Sequence, residues 1–133
     1  MMSTKKALDL VYDTGALISA ERGDRRFWAL HARALQRKVR PIVPAGCLVE
    51  SWHGGRVANV SRLLDGCEVE VLEESPAKRA GVLRQKCQDT IGPIDAMVVE
   101  AALRRKAAVV TSDRGDIESL ARVANRTLNI IDV

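Results

Sequence analysis

Aromatic side chains are scarce: two Trp, one Tyr and one Phe in 133 residues, 3% of the chain. A core therefore has to be assembled from Val, Leu, Ile and Ala, and the apolar share of 47% is ordinary for a globular protein. Cysteine is also sparse. Cys47, Cys67 and Cys87 are odd in number and form no C-x-x-C pair. That argues against a disulfide framework and reads as reduced, small core residues. Long apolar runs are missing too: Ala7–Tyr12 is interrupted by Asp9 and is too short for a secretory leader or a membrane span. A soluble, cytoplasmic protein with no membrane partner is expected. Repeats, low-complexity tracts and linkers are absent, so 1–133 reads as a single domain long enough to bury its own core.

Positive charge is in modest excess. Lys and Arg total 21 against 17 Asp and Glu, a net charge of +4. Arginine dominates, with Arg22, Arg25, Arg26, Arg33, Arg37, Arg40, Arg104 and Arg105. Guanidinium forks suit phosphate, so a polyanionic partner is one reading; solvated helix faces are the simpler one.

Short β-rich runs alternate with helical periods. Strands are expected at Ala7–Tyr12, Arg40–Val43, Glu68–Leu72, Ala107–Thr111 and Thr127–Ile131. Helices are expected over Asp24–Lys38 and from a Ser75 N-cap with Pro76 at the first helical position. Two more are expected over Asp95–Lys106 and Asp116–Ala124, and Ala45–Trp52 should begin another. This alternation implies an α/β fold, a mostly parallel sheet flanked by helices on both faces. In such sheets ligands bind beyond the carboxyl ends of the strands.

Four acids fall at that edge. Asp13 directly follows the first strand, and Asp113 follows the fourth with one Ser between. Glu50 lies just past the second strand, and Asp95 opens a helix that leads back into the fourth. Each has a bland alternative: Asp13, Asp95 or Asp116 as a helix cap, Glu50 as a solvated helix residue. Together they form a cluster of like charges that raise one another's pKa, tolerated mainly when a cation occupies it. No Lys or His is placed by sequence to neutralise them. Oxygen-only donors select hard cations such as Mg²⁺ or Mn²⁺, which can polarise a phosphoryl oxygen and activate water. An acidic hole in a basic protein points to phosphodiester hydrolysis.

These residues resemble the PIN domain and, within it, the toxin ribonucleases of the VapC type. The resemblance is carried by LVYDTGAL (10–17), VPAGCLVE (43–50), PIDAMVVEAA (93–102) and VTSDRGDI (110–117), in order over nearly the whole chain. It implies a five-stranded parallel sheet in a three-layer fold and a metal-dependent endoribonuclease leaving a 5′-phosphate and a 3′-hydroxyl. The family's acids fall on Asp13, Glu50, Asp95 and Asp113, with Asp116 auxiliary; Asp13, Asp95, Asp113 and Asp116 are the metal candidates. The small hydroxyl after the first acid maps to Thr14. Gly15 stands where a Ser is frequent, so Thr111 and Ser112 are expected to orient Asp113 instead. Arg114 and Arg56 are candidate phosphate contacts. The resemblance also implies RNA as substrate, a homodimer, and an antitoxin partner, for which the arginine-rich Asp24–Lys38 helix is a candidate surface.

Other readings compete. Asp13-Thr14-Gly15 is also an aspartic-protease signature, but such a protease is all-β and this chain is rich in helical periods. A phosphatase of the haloacid-dehalogenase kind needs a second Asp where Gly15 stands. A non-catalytic PIN-like module binding RNA or protein is the remaining alternative. His31 is expected to be solvated and His53 a surface or supporting residue. Trp28 and Trp52 should serve packing, Met97 should lie in the core, and Gly54-Gly55 should mark a break.

Overall fold

The computed structural model describes residues 8–55, 57–88 and 90–133. Arg56, one of the candidate phosphate contacts, lies outside them, as does Ala7 at the start of the expected first strand. Five strands are present among the described residues: β1 (Leu10–Tyr12), β2 (Ile42–Pro44), β3 (Glu68–Glu70), β4 (Ala108–Thr111) and β5 (Ile130–Asp132). They pair in parallel in the order β3-β2-β1-β4-β5. Central β1 and β4 are buried at every position, as expected of strands covered on both faces.

Seven helices connect them: α1 (Thr14–Glu21), α2 (Arg25–Gln36), α3 (Gly46–Ser51), α4 (Ala58–Leu64), α5 (Glu74–Lys86), α6 (Pro93–Arg105) and α7 (Arg114–Val123). Helix α1 lies over β1 and β4 with α2, α3 and α4 against it, and α6 lies over β1, β2 and β4 between α5 and α7. The expected three-layer α/β fold is therefore present. Val11, Val43, Val98, Val99 and Val109 fill its centre at no more than 0% exposure, each contributing about 1.5–3 kcal/mol of transfer free energy.

Several boundaries differ from the sequence expectation for identifiable reasons. Helix α5 begins at Glu74 with Glu73 as its cap, so Ser75 and Pro76 sit inside the first turn. The amide that proline lacks has no intrahelical partner there anyway. Helix α6 begins at Pro93 and α7 at Arg114, each two residues before the acid expected to open it. Helix α4 was not anticipated: Val57 precedes it without a capping side chain, and the Glu21 carboxylate accepts from the Val60 amide at 3.2 Å instead.

His31 is a clear correction. It is 4% exposed and meets the Tyr12 hydroxyl at 2.9 Å through Nδ1. Burial pulls its pKa below the ordinary value and pushes the Tyr12 phenol up, so the hydrogen bond joins a protonated phenol to a neutral imidazole. The three thiols are free, with Cys47 and Cys67 buried. Met97 is only partly buried against the core, as is Trp28. Trp28 donates Nε1 to the Ala20 carbonyl at 3.0 Å.

Candidate active site

The chain leaves β1 toward β2 and β3 on one side and returns through α5 and α6 to β4 on the other. The direction of strand addition therefore reverses between β1 and β4, and the crevice at their carboxyl ends is where open parallel sheets hold ligands. Asp13 and Asp113 flank that crevice, one following Tyr12 and the other two residues past Thr111.

Asp13 is both a helix cap and the floor of the site. It is 3% exposed, and its Oδ1 accepts from the Ala16 amide at 2.9 Å. Burial raises its pKa, while hydrogen bonds from Thr111 and the first α1 amides oppose the rise and Asp113 adds to it. The Thr111 hydroxyl also accepts from the Asp113 amide at 2.8 Å. One hydroxyl thus ties the ends of both strands together, reaching the Asp13 carboxylate and the Asp113 backbone.

Capping does not account for the other acids. Helix α6 is capped by Gly92, and Asp113 before α7 makes no capping bond with its side chain, so both leave their carboxylates to the crevice. Asp95 on the first turn of α6, Asp113 and Asp116 on the first turn of α7 converge, with one oxygen of each within 4.8 Å of the others. The Asp95 pKa is pushed up to about 6, first by burial and then by the charges of Asp113, Asp116, Asp13 and Glu50. Asp116 is also raised, by desolvation and by a hydrogen bond shared with Asp113. These shifts are the electrostatic cost of gathering carboxylates that no cationic side chain among the described residues is paired with.

Glu50, on α3, is exposed and accepts from the Thr14 hydroxyl at 2.7 Å. Thr14 therefore aims Glu50 at the mouth of the crevice. Cys47 lies below, fully buried, its thiol pushed up to about 12 by burial and by the surrounding acids. A thiol held that high stays protonated at neutral pH in the cation-free protein. An all-oxygen donor set fits a hard divalent cation.

Gly15 explains how the β1 and β4 ends approach. A Cβ at position 15 would lie 2.0 Å from the Ser112 Oγ and 3.1 Å from the Ser112 amide nitrogen. The β4–α7 loop therefore rests directly on the first turn of α1, and Ser112 fills the space that any side chain at position 15 would need. Arg114, expected to meet phosphate, is instead engaged elsewhere. It forks onto Asp132 at 2.9–3.1 Å and reaches Glu118 and the Ile130 carbonyl, fastening β5 to α7. A role on phosphate requires these contacts to open. His53 is exposed, as is Trp52 beside it, at 43%.

The residues missed in the sequence belong to an ion network on the far side of α6, built around one buried carboxylate. Glu100 is 5% exposed and accepts from Arg79 at 3.0 Å and Arg104 at 3.1 Å. Arg104 also binds Glu70, and Arg105 binds Glu70 and Glu68. The available signal was a lone acid inside the apolar face of α6.

The family model of the PIN domain matches residues 10–125. No curated protein matches the sequence. Solved structures match the fold. A chain of VapBC2 from Rickettsia felis, bound to a fragment of its promoter DNA, superposes with TM-score 0.70 at 17% identity, covering 94% of this chain and 98% of that one. DNA-bound VapBC from Salmonella typhimurium gives 0.66 at 19%, covering 95% and 98%. A toxin–antitoxin complex from Klebsiella pneumoniae gives 0.60 at 18%, covering 81% and 89%.

Proposed function

From the premise that this chain belongs to the PIN domain family, we propose that it is a Mg²⁺- or Mn²⁺-dependent endoribonuclease and the toxin of a toxin–antitoxin pair. The observation that carries this reading is the convergence of Asp95, Asp113 and Asp116 at the switch point of a parallel sheet, in a chain of net charge +4. Three carboxylates gathered without a cationic partner among the described residues are a poor structural device and a good cation site.

In this reading Asp95, Asp113 and Asp116 hold the cation with Asp13 beneath them. A bound Mg²⁺ or Mn²⁺ supplies charge stabilisation for a phosphoryl oxygen and makes water easier to deprotonate. Glu50 is the acid left free for the proton: Thr14 holds one oxygen, and the other faces solvent at the mouth. Water attacks phosphorus, its proton passes to Glu50, and the bond from phosphorus to the 3′-oxygen breaks. The 3′-oxygen takes a proton from solvent, leaving a 3′-hydroxyl and a 5′-phosphate. Ser112 stands unpartnered among the described residues beside Asp113, available to a phosphate oxygen. The antitoxin assignment is supported by the complexes that share the fold. A homodimer is proposed with it, and the exposed arginines of α2, Arg25, Arg26 and Arg33, are the proposed partner face.

The test is digestion of total cellular RNA by the purified, partner-free protein with Mg²⁺ or Mn²⁺. Excess EDTA and the Asp13→Asn variant serve as controls. Discrete cuts lost in both controls support the reading. A folded, cation-binding protein that cuts no RNA would make the chain a non-catalytic binding module.

A further inference from the structure

An open groove lies away from the acids, between helices α5 and α6 and the end of α7, with a volume of about 490 Å³. Its floor is aliphatic: Val82 and Leu83 from α5, Leu103 from α6 and Ala124 after α7. Val82 is 55% exposed and, with Leu83, Leu103 and Ala124, makes the floor a contiguous apolar strip rather than a lone exposed valine.

Cations rim this floor. Arg79 and Arg104 stand on its wall, both pinned by the buried carboxylate of Glu100. The network that fixes them is therefore more than a structural tie: it holds two guanidiniums at set positions beside an apolar strip. Lys78 is paired only with exposed Glu74 at 2.7 Å. Lys86 and Arg126, at the two ends, form no ion pair among the described residues. Five cations thus surround a floor whose single carboxylate is already spent on two of them.

We propose that this groove docks a helical segment of a protein partner that carries carboxylates beside aliphatic side chains. Lys78 to Lys86 spans about 12 Å at 1.5 Å per residue, the length of two turns of a docked helix. Such a helix sets aliphatic side chains at i, i+3 or i+4, and i+7 onto the floor and acids onto the rim, the helix-in-groove mode. Nucleic acid fits less well. No aromatic ring lines the groove to stack a base, and phosphates gain nothing from valine and leucine. The inference uses none of the crevice acids and is independent of the nuclease reading.

The experiment is fluorescence anisotropy of a labelled amphipathic helix of Glu, Leu and Ala titrated with the full chain. Its Glu→Gln analogue and a single-stranded RNA oligonucleotide are parallel probes. The variants are Lys86→Glu with Arg126→Glu, and Val82→Ser, all at surface positions and checked by circular dichroism and melting. Saturable binding of the acidic helix is expected, weakened about tenfold or more by either variant and by the Gln analogue. Absence of saturable binding, or binding indifferent to both variants, overturns the proposal. So does RNA binding that the variants abolish while the peptide is ignored, which makes the groove a nucleic-acid track. Self-association of the unlabelled chain that the charge reversals abolish assigns the groove to a second copy and equally overturns it.

Discussion

Replacing Asp95 with asparagine should make the cation-free protein more stable while impairing its response to Mg²⁺. In the fold the Asp95 carboxyl titrates near about 6, against an ordinary 3.8. The folded state therefore binds that proton more tightly than the unfolded chain does. Its stabilising effect is full below about pH 3.8 and is lost as pH rises through about 6. At about 1.36 kcal/mol per pH unit, a displacement of roughly two units sets an upper bound near 3 kcal/mol. Asp95 is only partly buried, and solvent screening reduces this to about 1–2 kcal/mol. For a chain of this length that corresponds to a melting temperature about 3–8 °C higher for Asp95→Asn at pH 7.5 in EDTA. The gap should narrow between pH 7 and pH 5, because the wild-type carboxyl is taking up its proton. Added Mg²⁺ or Mn²⁺ should stabilise the wild type, since a ligand of the native state shifts unfolding by mass action, and should stabilise the variant far less. Melting curves with and without cation measure all of this. A variant less stable than wild type in EDTA at pH 7.5, a gap independent of pH, or an unchanged cation response would each refute the reasoning.

Gly15→Ala should cost about 1–3 kcal/mol in a denaturant melt, because the new methyl meets Ser112 at 2.0 Å. Ser112→Gly should return part of that loss, though the amide nitrogen at 3.1 Å keeps the contact tight. Glu100→Gln should destabilise by about 1–2 kcal/mol, since it removes the buried carboxylate that holds Arg79 and Arg104, while both guanidiniums stay within reach of solvent and Arg104 keeps Glu70; urea unfolding at constant m-value tests it. Tyr12→Phe should cost about 1 kcal/mol by leaving the buried His31 Nδ1 unpaired. Because the His31 pKa is lowered in the fold, the stability tied to its neutral form is present above about pH 6.5 and is lost as pH falls through its folded value. A His31→Gln variant should therefore lose less stability than wild type on acidification below pH 6.

The order of strands and helices was legible because apolar runs and 3.6-residue periods survive in the sequence, and because β1 and β4 are buried throughout. The strand edge that carries Asp13 and Asp113 followed from that order alone. Other features depend on contacts that no local pattern encodes. Helix α4 lacks a capping residue of its own and takes its cap from Glu21, 39 positions earlier. His31 sits among arginines and alanines in sequence, and only the fold brings it to Tyr12, 19 positions away. Arg114 sits at the predicted strand edge and reads as a phosphate contact, while Asp132 at the far end of the chain holds its guanidinium. Asp13 shows that two explanations weighed against each other can both be true: it caps α1 and lines the crevice. For Asp95 and Asp116 the capping explanation fails, since Gly92 and Asp113 hold the cap positions of their helices and both carboxylates turn to the crevice.

The most direct test of the central claim is the chemistry of the ends left on RNA cut by the purified protein with Mn²⁺. Attack by water predicts fragments whose 5′ ends carry phosphate and ligate without prior phosphorylation, with free 3′-hydroxyls, and no fragments from Asp13→Asn. Fragments ending in 5′-hydroxyl and cyclic phosphate would mean that the RNA's own 2′-hydroxyl attacks, and would contradict the assignment of the acidic crevice as a hydrolytic centre.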